Sequence, residues 1–221
     1  MAELPALIIA ILGAESTGKT TLAAALAAGL SSQGVARVAW VPELLREWCA
    51  AQGRTPRRDE QAGILQTQSE RIAAAAATHA VVVCDTTGLM TAVYSRLIFN
   101  DRSLDAPAIA HHRGVALSLL TALDLPWVAD GHQRDGPQVR EPVDDTLREL
   151  LLAHALPFAV VGGQAEQRVA NALAAVAPLL RARTAPRAGL LTGLETAAEA
   201  PPRWHCECCV PEFERALMRR S

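Results

Sequence analysis

Eight residues constrain this chain more than anything else in it: Gly13-Ala14-Glu15-Ser16-Thr17-Gly18-Lys19-Thr20 spell G-x-x-x-x-G-K-[ST]. Such a loop presents successive backbone N–H groups to an anion when a buried strand leads into it and a helix leads out. Both flanks are present. Residues 6–12 (ALIIAIL) form a short apolar run, the pattern of a buried parallel strand, and residues 21–28 (TLAAALAA) are strong helix formers. From Gly13 to Thr21 the loop and the helix N-terminus are expected to cradle a polyphosphate. Lys19 then reaches the β- and γ-phosphates, and the Thr20 hydroxyl takes a Mg²⁺ coordination position, so ATP with Mg²⁺ is the expected ligand pair.

At 221 residues the chain has length for one α/β domain with a tail. Lys plus Arg number 21 against 23 Asp plus Glu, so no basic excess points to a nucleic-acid partner. No stretch approaches the 18 apolar residues of a membrane span, and the N-terminus lacks a basic signal-peptide region. Five cysteines, an odd count with Cys49 and Cys84 in apolar segments, point to a reducing compartment. The expectation is a cytoplasmic protein with a small-molecule substrate; the oligomeric state is not legible.

Strand and helix patterns alternate after the loop. Strands are expected at 35–41, 81–84 and 158–162, and at 115–122, where the pattern alone fits strand or helix and the strand-end loop that follows favours strand. Pro42 is expected to open a helix at its first position, and Asp59 to cap a long one over 60–78. Further helices are expected at 89–99, 107–113, 144–154 and 164–181. Such alternation implies a mostly parallel sheet with helices on both faces, a three-layer P-loop NTPase sandwich holding ligands beyond the strand C-termini. Residues 1–183 are expected to form that domain, with a lid segment at 125–140, and 184–221 a C-terminal tail.

Several residues fall at those strand ends. Asp85 ends the third strand, suited to Mg²⁺ or its bound water; the alternative is a cap for the next helix. Glu43 follows strand two and is placed to accept a proton from an attacking hydroxyl, or else it serves the dipole of the next helix. Trp40, Trp48 and Tyr94 are notable in a chain with only four Trp, one Tyr and three Phe. Trp48, one turn past Glu43 and near Arg46, is the candidate for stacking on a planar or cationic ring, against the alternative of a packed groove aromatic. Arginines of the 125–140 segment are candidates to close over a triphosphate, against a solvated basic loop.

Together, GAESTGKT at 13–20, VPELLRE at 41–47, the strand ending Asp85-Thr86, and PWVADGHQR at 126–134 resemble the ribosylnicotinamide kinase domain of NadR-type proteins, over roughly residues 6–181. The resemblance implies ATP-dependent phosphorylation of the 5′-hydroxyl of nicotinamide riboside. It implies Lys19, Glu43, Asp85 and Arg134 as catalytic residues. Acceptor contacts would come from Glu43, Arg46, Trp48, Asp85, Tyr94, Trp127 and Asp130, with Trp48 against the nicotinamide. The chain carries Asp85-Thr86-Thr87 where that family has Asp-Thr-Asp. With twelve residues before the loop, the adenylyltransferase and helix-turn-helix of larger members are not expected here. A kinase of another nucleoside or small alcohol, and a regulatory ATPase switch, are the alternatives.

Outside the resemblance lie His205, Cys206, Cys208 and Cys209. These are zinc-ligand types, but the chain holds no second Cys pair to complete a usual Zn²⁺ site, so an unliganded cluster or redox pair is the preferred reading.

Overall fold

A computed structural model of the chain describes residues 4–128 and 136–184. Strands β1 (Leu7–Leu12), β2 (Val38–Val41), β3 (Val81–Asp85), β4 (Leu117–Thr121) and β5 (Phe158–Val161) form one sheet in the order β2-β3-β1-β4-β5. Every pairing is parallel. Parallel neighbours need crossovers, and helices supply them: α1 (Lys19–Ser32), α2 (Leu44–Gln52), α3 (Gln61–Thr78), α4 (Gly88–Phe99), α5 (Asp105–His112), α6 (Arg140–Ala153) and α7 (Ala165–Thr184). This is the α/β P-loop architecture that the sequence implies. The compact unit built on the sheet runs to Pro178, and α7 continues to Thr184.

Central β1 is apolar throughout because both its faces are covered. Ala10 and Leu12 join Leu89 and Val93 of α4, Ile109 of α5 and Leu147 of α6 in one cluster, and Ile8 packs against it. Ile9 and Ile11 point the other way by the two-residue strand period and are equally buried, on the side of α1. Gly29 of α1 lets the Leu173 side chain of α7 approach to 3.4 Å of where a Cβ would stand. Each fully buried Ile or Leu contributes about 1.5–3 kcal/mol, so this core holds the strand ends rigidly in place.

Boundaries depart from the expectation where local chemistry differs. β2 begins at Val38 rather than 35, because Gly34 and Arg37 both adopt positive φ in the turn before it. Pro42 does not open α2. Extended Glu43 is the N-cap residue, and its carboxylate makes no capping bond. Asp59 does not cap α3 either; it sits inside a 3₁₀ turn, Arg58–Glu60, whose Glu60 reaches back to the Arg57 N–H at 2.7 Å. α6 starts at Arg140, earlier than expected, since Pro142 in a first turn forfeits no intrahelical bond. Among the described residues no helix is long and apolar enough to cross a membrane.

Candidate functional site

β1 sits where successive strands are laid down to opposite sides, the usual ligand crevice of such sheets. Its C-terminus delivers the glycine-bracketed loop. Gly13 has φ +147°, and a Cβ there would collide with the Thr121 hydroxyl at the end of β4. That hydroxyl donates to Thr17 Oγ1 at 2.6 Å and lies 3.1 Å from Leu12 O, and Thr17 Oγ1 donates to Ala14 O at 2.8 Å. Gly18, with φ +77°, is the N-cap residue of α1. Ser16 also adopts positive φ, and its hydroxyl accepts from Val128 N at 2.8 Å, tying residue 128 to the loop. Arg168 of α7, buried, donates to Thr17 O at 3.1 Å and pairs with Asp124. Loop shape is therefore imposed by β4, the 124–128 segment and α7. Thr21 is exposed on the first turn of α1.

Lys19 Nζ donates to Ala14 O at 2.8 Å. Burial pulls its pKa down, opposed by the carboxylates of Glu43, Asp85 and Glu15. Those opposing contributions bring the ends of β1, β2 and β3 into one electrostatic site. The Asp85 pKa is raised by burial and held back by the Thr20 hydroxyl bond, then Lys19 and Arg46. Its Oδ1 is buried with no hydrogen-bond partner. Burying a carboxylate oxygen in that state is costly unless a cation or donor arrives. Asp85 does not cap α4. Thr87 does, accepting from Leu89 N at 3.3 Å while its hydroxyl meets His112 Nδ1 at 3.0 Å. A threonine at 87 thus serves the helix start.

A cavity of about 760 Å³ opens beside the loop. Glu15, Ser16, Lys19, Glu43 and Arg46 form its charged end, with Arg46 Nε 3.8 Å from Glu43 Oε2. Tyr94, Leu97, Ile98 and Phe99, on the last turns of α4, supply an apolar wall. Leu45 and Cys49 of α2 face it, and Arg57, Arg58 and Gln61 border it at the start of α3. Salt bridges from Arg96 of α4 to Asp105 at 2.7 Å and Glu149 at 3.2 Å fix that helix against α5 and α6.

Trp48 is not on this wall. Leu45, Arg46 and Cys49 define the face of α2 turned to the cavity, and position 48 lies about a third of a turn away at 100° per residue. Its ring carries the Arg54 guanidinium instead, 4.9 Å from the centroid, and Arg54 is clamped to Glu60 at 2.6 and 2.7 Å. Trp127 does not line the cavity either; its Nε1 is buried without a partner. Asp130 and Arg134 lie outside the described residues, as do His205, Cys206, Cys208 and Cys209. Among the described residues no cluster of three or more His, Cys, Asp or Glu is arranged to hold a metal.

Three residues that the sequence analysis did not single out enter the site or its support, together with Arg140 of the 125–140 segment, whose arginines it did name. Thr121 and Arg168 shape the loop. Gln61 stands on the cavity wall. Arg140, at the end of the 125–140 segment, is 9% exposed; it donates to Leu125 O at 2.9 Å, while Nε and Nη2 are buried without partners. Leu125 in turn lies 3.2 Å from where a Gly18 Cβ would stand, so this guanidinium sits near the phosphate loop. Of the three, only the strand-terminal hydroxyl of Thr121 is legible in sequence; Arg168 and Gln61 depend on which helix ends converge.

The AAA domain family matches residues 8–168. Among solved structures, NadR protein in complex with NAD and AMP-PNP shares 20% identity at TM-score 0.62, covering 78% of this chain and 49% of that one. NadR in complex with NR shares 19% at TM-score 0.63, over 78% and 50%. Thymidylate kinase from Ehrlichia chaffeensis shares 16% at TM-score 0.56, over 80% and 100%. The chain thus spans about half the length of the NadR chains it matches. Comparison with curated proteins returns no match.

Proposed function

The chain belongs to the AAA domain family, and from that premise we propose that it is an ATP-dependent kinase that phosphorylates the 5′-hydroxyl of nicotinamide riboside. One observation carries the reading: a phosphate-loop lysine and a carboxylate, Lys19 and Glu43, share the wall of a 760 Å³ cavity whose remainder is largely apolar. A bare ATPase switch needs no such chamber next to its phosphates. The NadR structures with NR and with AMP-PNP support this acceptor and donor, and the thymidylate kinase match supports a second reading, another nucleoside or nucleotide as acceptor. Residues 1–183 are assigned to the kinase domain and 184–221 to a tail.

Phosphoryl transfer asks for positioning and charge neutralisation more than covalent chemistry. The loop N–H groups and Lys19 hold the donor phosphates. Arg140 offers two unpartnered guanidinium nitrogens, Nε and Nη2, near the loop, a charge that cannot be titrated away. Glu43, on the cavity wall beside Lys19, accepts the proton of the acceptor hydroxyl, and Arg46 holds that carboxylate. Thr20 and Asp85, whose unpartnered Oδ1 is a hard oxygen ligand, would hold Mg²⁺, which would supply charge neutralisation at the phosphates. Tyr94 and its neighbours exclude water from the acceptor.

Incubation with ATP, Mg²⁺ and nicotinamide riboside, with product detection by mass, tests the proposal. Lys19→Ala is expected to lose product by orders of magnitude, and Glu43→Gln to lower kcat with ATP KM nearly unchanged. Wild-type ATP hydrolysis that is indifferent to every nucleoside offered rules the kinase reading out.

A further inference from the structure

Gln61, the first residue of α3, is 3% exposed and lies on the cavity wall, yet its Oε1 has no hydrogen-bond partner. Nearly all buried polar side-chain atoms in folded proteins are bonded, and leaving one unmet costs about 1–3 kcal/mol. The cavity wall it shares carries apolar Pro56, Leu97, Ile98 and Phe99 as well as Thr55, Arg57 and Arg58, and none of these bonds Oε1.

Its place along α3 sets the distance to the reacting end. Gln68 accepts from Leu44 N at 2.9 Å and so braces the turn that carries Glu43. Seven residues separate Gln61 from Gln68, about 10 Å of helix at 1.5 Å per residue. That is comparable to the length of a nucleoside from its 5′-oxygen to the far edge of its base. Glu43 and Gln61 line the same cavity, and an acceptor of that length with its hydroxyl at Glu43 and its ring directed toward the start of α3 would bring its ring substituents to Gln61.

A primary amide offers one acceptor and two donors in a plane. Its complement is a second amide edge, a carbonyl beside an N–H. We infer that Gln61 reads an amide edge on the acceptor: the carboxamide of a nicotinamide ring, or the lactam edge of a nucleobase. An acceptor without that edge leaves Oε1 unmet, and one with a carboxylate there sets two oxygens against it. The inference rests on the kinase reading with the acceptor in this cavity.

Steady-state kinetics of wild type, Gln61→Leu and Gln61→Glu distinguish the possibilities, with nicotinamide riboside, uridine and the pyridine riboside lacking the carboxamide as acceptors. Gln61→Leu is expected to raise KM for the amide-bearing acceptor on the order of 10- to 100-fold. The amide-free riboside should change no more than about 2-fold, with ATP KM unaltered. Gln61→Glu keeps the shape and removes the NH₂ donors, so it should lose the same selectivity; it carries the test if the leucine variant does not fold. Equal losses on amide-bearing and amide-free acceptors, or none, overturn the inference while the kinase reading stands. Turnover of uridine but not nicotinamide riboside, sensitive to Gln61→Leu, overturns the nicotinamide reading and keeps this one. If wild type turns over no acceptor, thermal-shift titrations with nicotinamide and uracil decide, and a shift unaffected by Gln61→Leu overturns it.

Discussion

His112 gives the most direct quantitative test of how the site is supported. The imidazole is 2% exposed, with Nδ1 3.0 Å from the Thr87 hydroxyl and Nε2 2.7 Å from Ser118 Oγ. Burial pushes its pKa down from 6.5 to about 4. Because the folded value is depressed, the unfolded chain takes up a proton first as pH falls. Stability from this group is intact above about 6.5, is lost progressively as pH falls, and stops declining below about 4. The whole window corresponds to roughly 3 kcal/mol, and about 2 kcal/mol of it is lost by pH 5. His112→Gln keeps the hydrogen-bonding capacity and removes the titration. Urea denaturation of both proteins from pH 7.5 to 4.5 isolates the difference, since the carboxylates titrate alike in each. Wild type should lose about 2 kcal/mol more than the variant between pH 7 and 5. Parallel profiles would refute the assignment of a neutral, buried imidazole joining α4 to β4.

Arg140→Met should cost less than about 1 kcal/mol of unliganded stability, since it removes a buried cation with one hydrogen bond, while raising ATP KM at least about 10-fold; a large fall in thermal stability with ATP KM unchanged defeats the phosphate role. Trp48→Leu removes the Arg54 contact, worth about 0.5–1 kcal/mol at an exposed site, and should raise acceptor KM alike for cationic and neutral nucleosides; a selective loss on nicotinamide riboside would restore Trp48 as the stacking residue. Gly13→Ala should abolish ATP binding, because its Cβ meets Thr121 at a positive φ; retained binding by calorimetry would show that the loop can shift, and Gly13→Ala with Thr121→Ala should recover part of the loss.

The fold was readable because its signals are local. Apolar runs of four to six residues closed by Gly13, Asp85 and Thr121, separated by helix-forming stretches, leave little choice but a parallel sheet. Where the sequence pattern misplaced an end, a neighbour decided it: the Leu44 N–H goes to Gln68, 24 residues away, rather than to a Glu43 side-chain cap. Asp59 looked like a cap by type, yet Glu60 reaches the Arg57 N–H because the 3₁₀ turn brings it there.

Sequence by itself determined the phosphate loop, since glycine spacing, lysine and the flanking strand and helix are all contiguous. It also placed Glu43 and Asp85 at strand ends, which strand polarity brings to the same edge. Only the tertiary structure decided what surrounds them. Trp48 and Cys49 are adjacent in the chain, but a 100° step of helix turns one onto Arg54 and the other into the cavity. Gln61, Tyr94 and Val143 share a wall although they lie on three different helices. A pocket is made where helix ends converge, and that convergence is fixed by core packing among residues far apart in sequence, which no local pattern encodes.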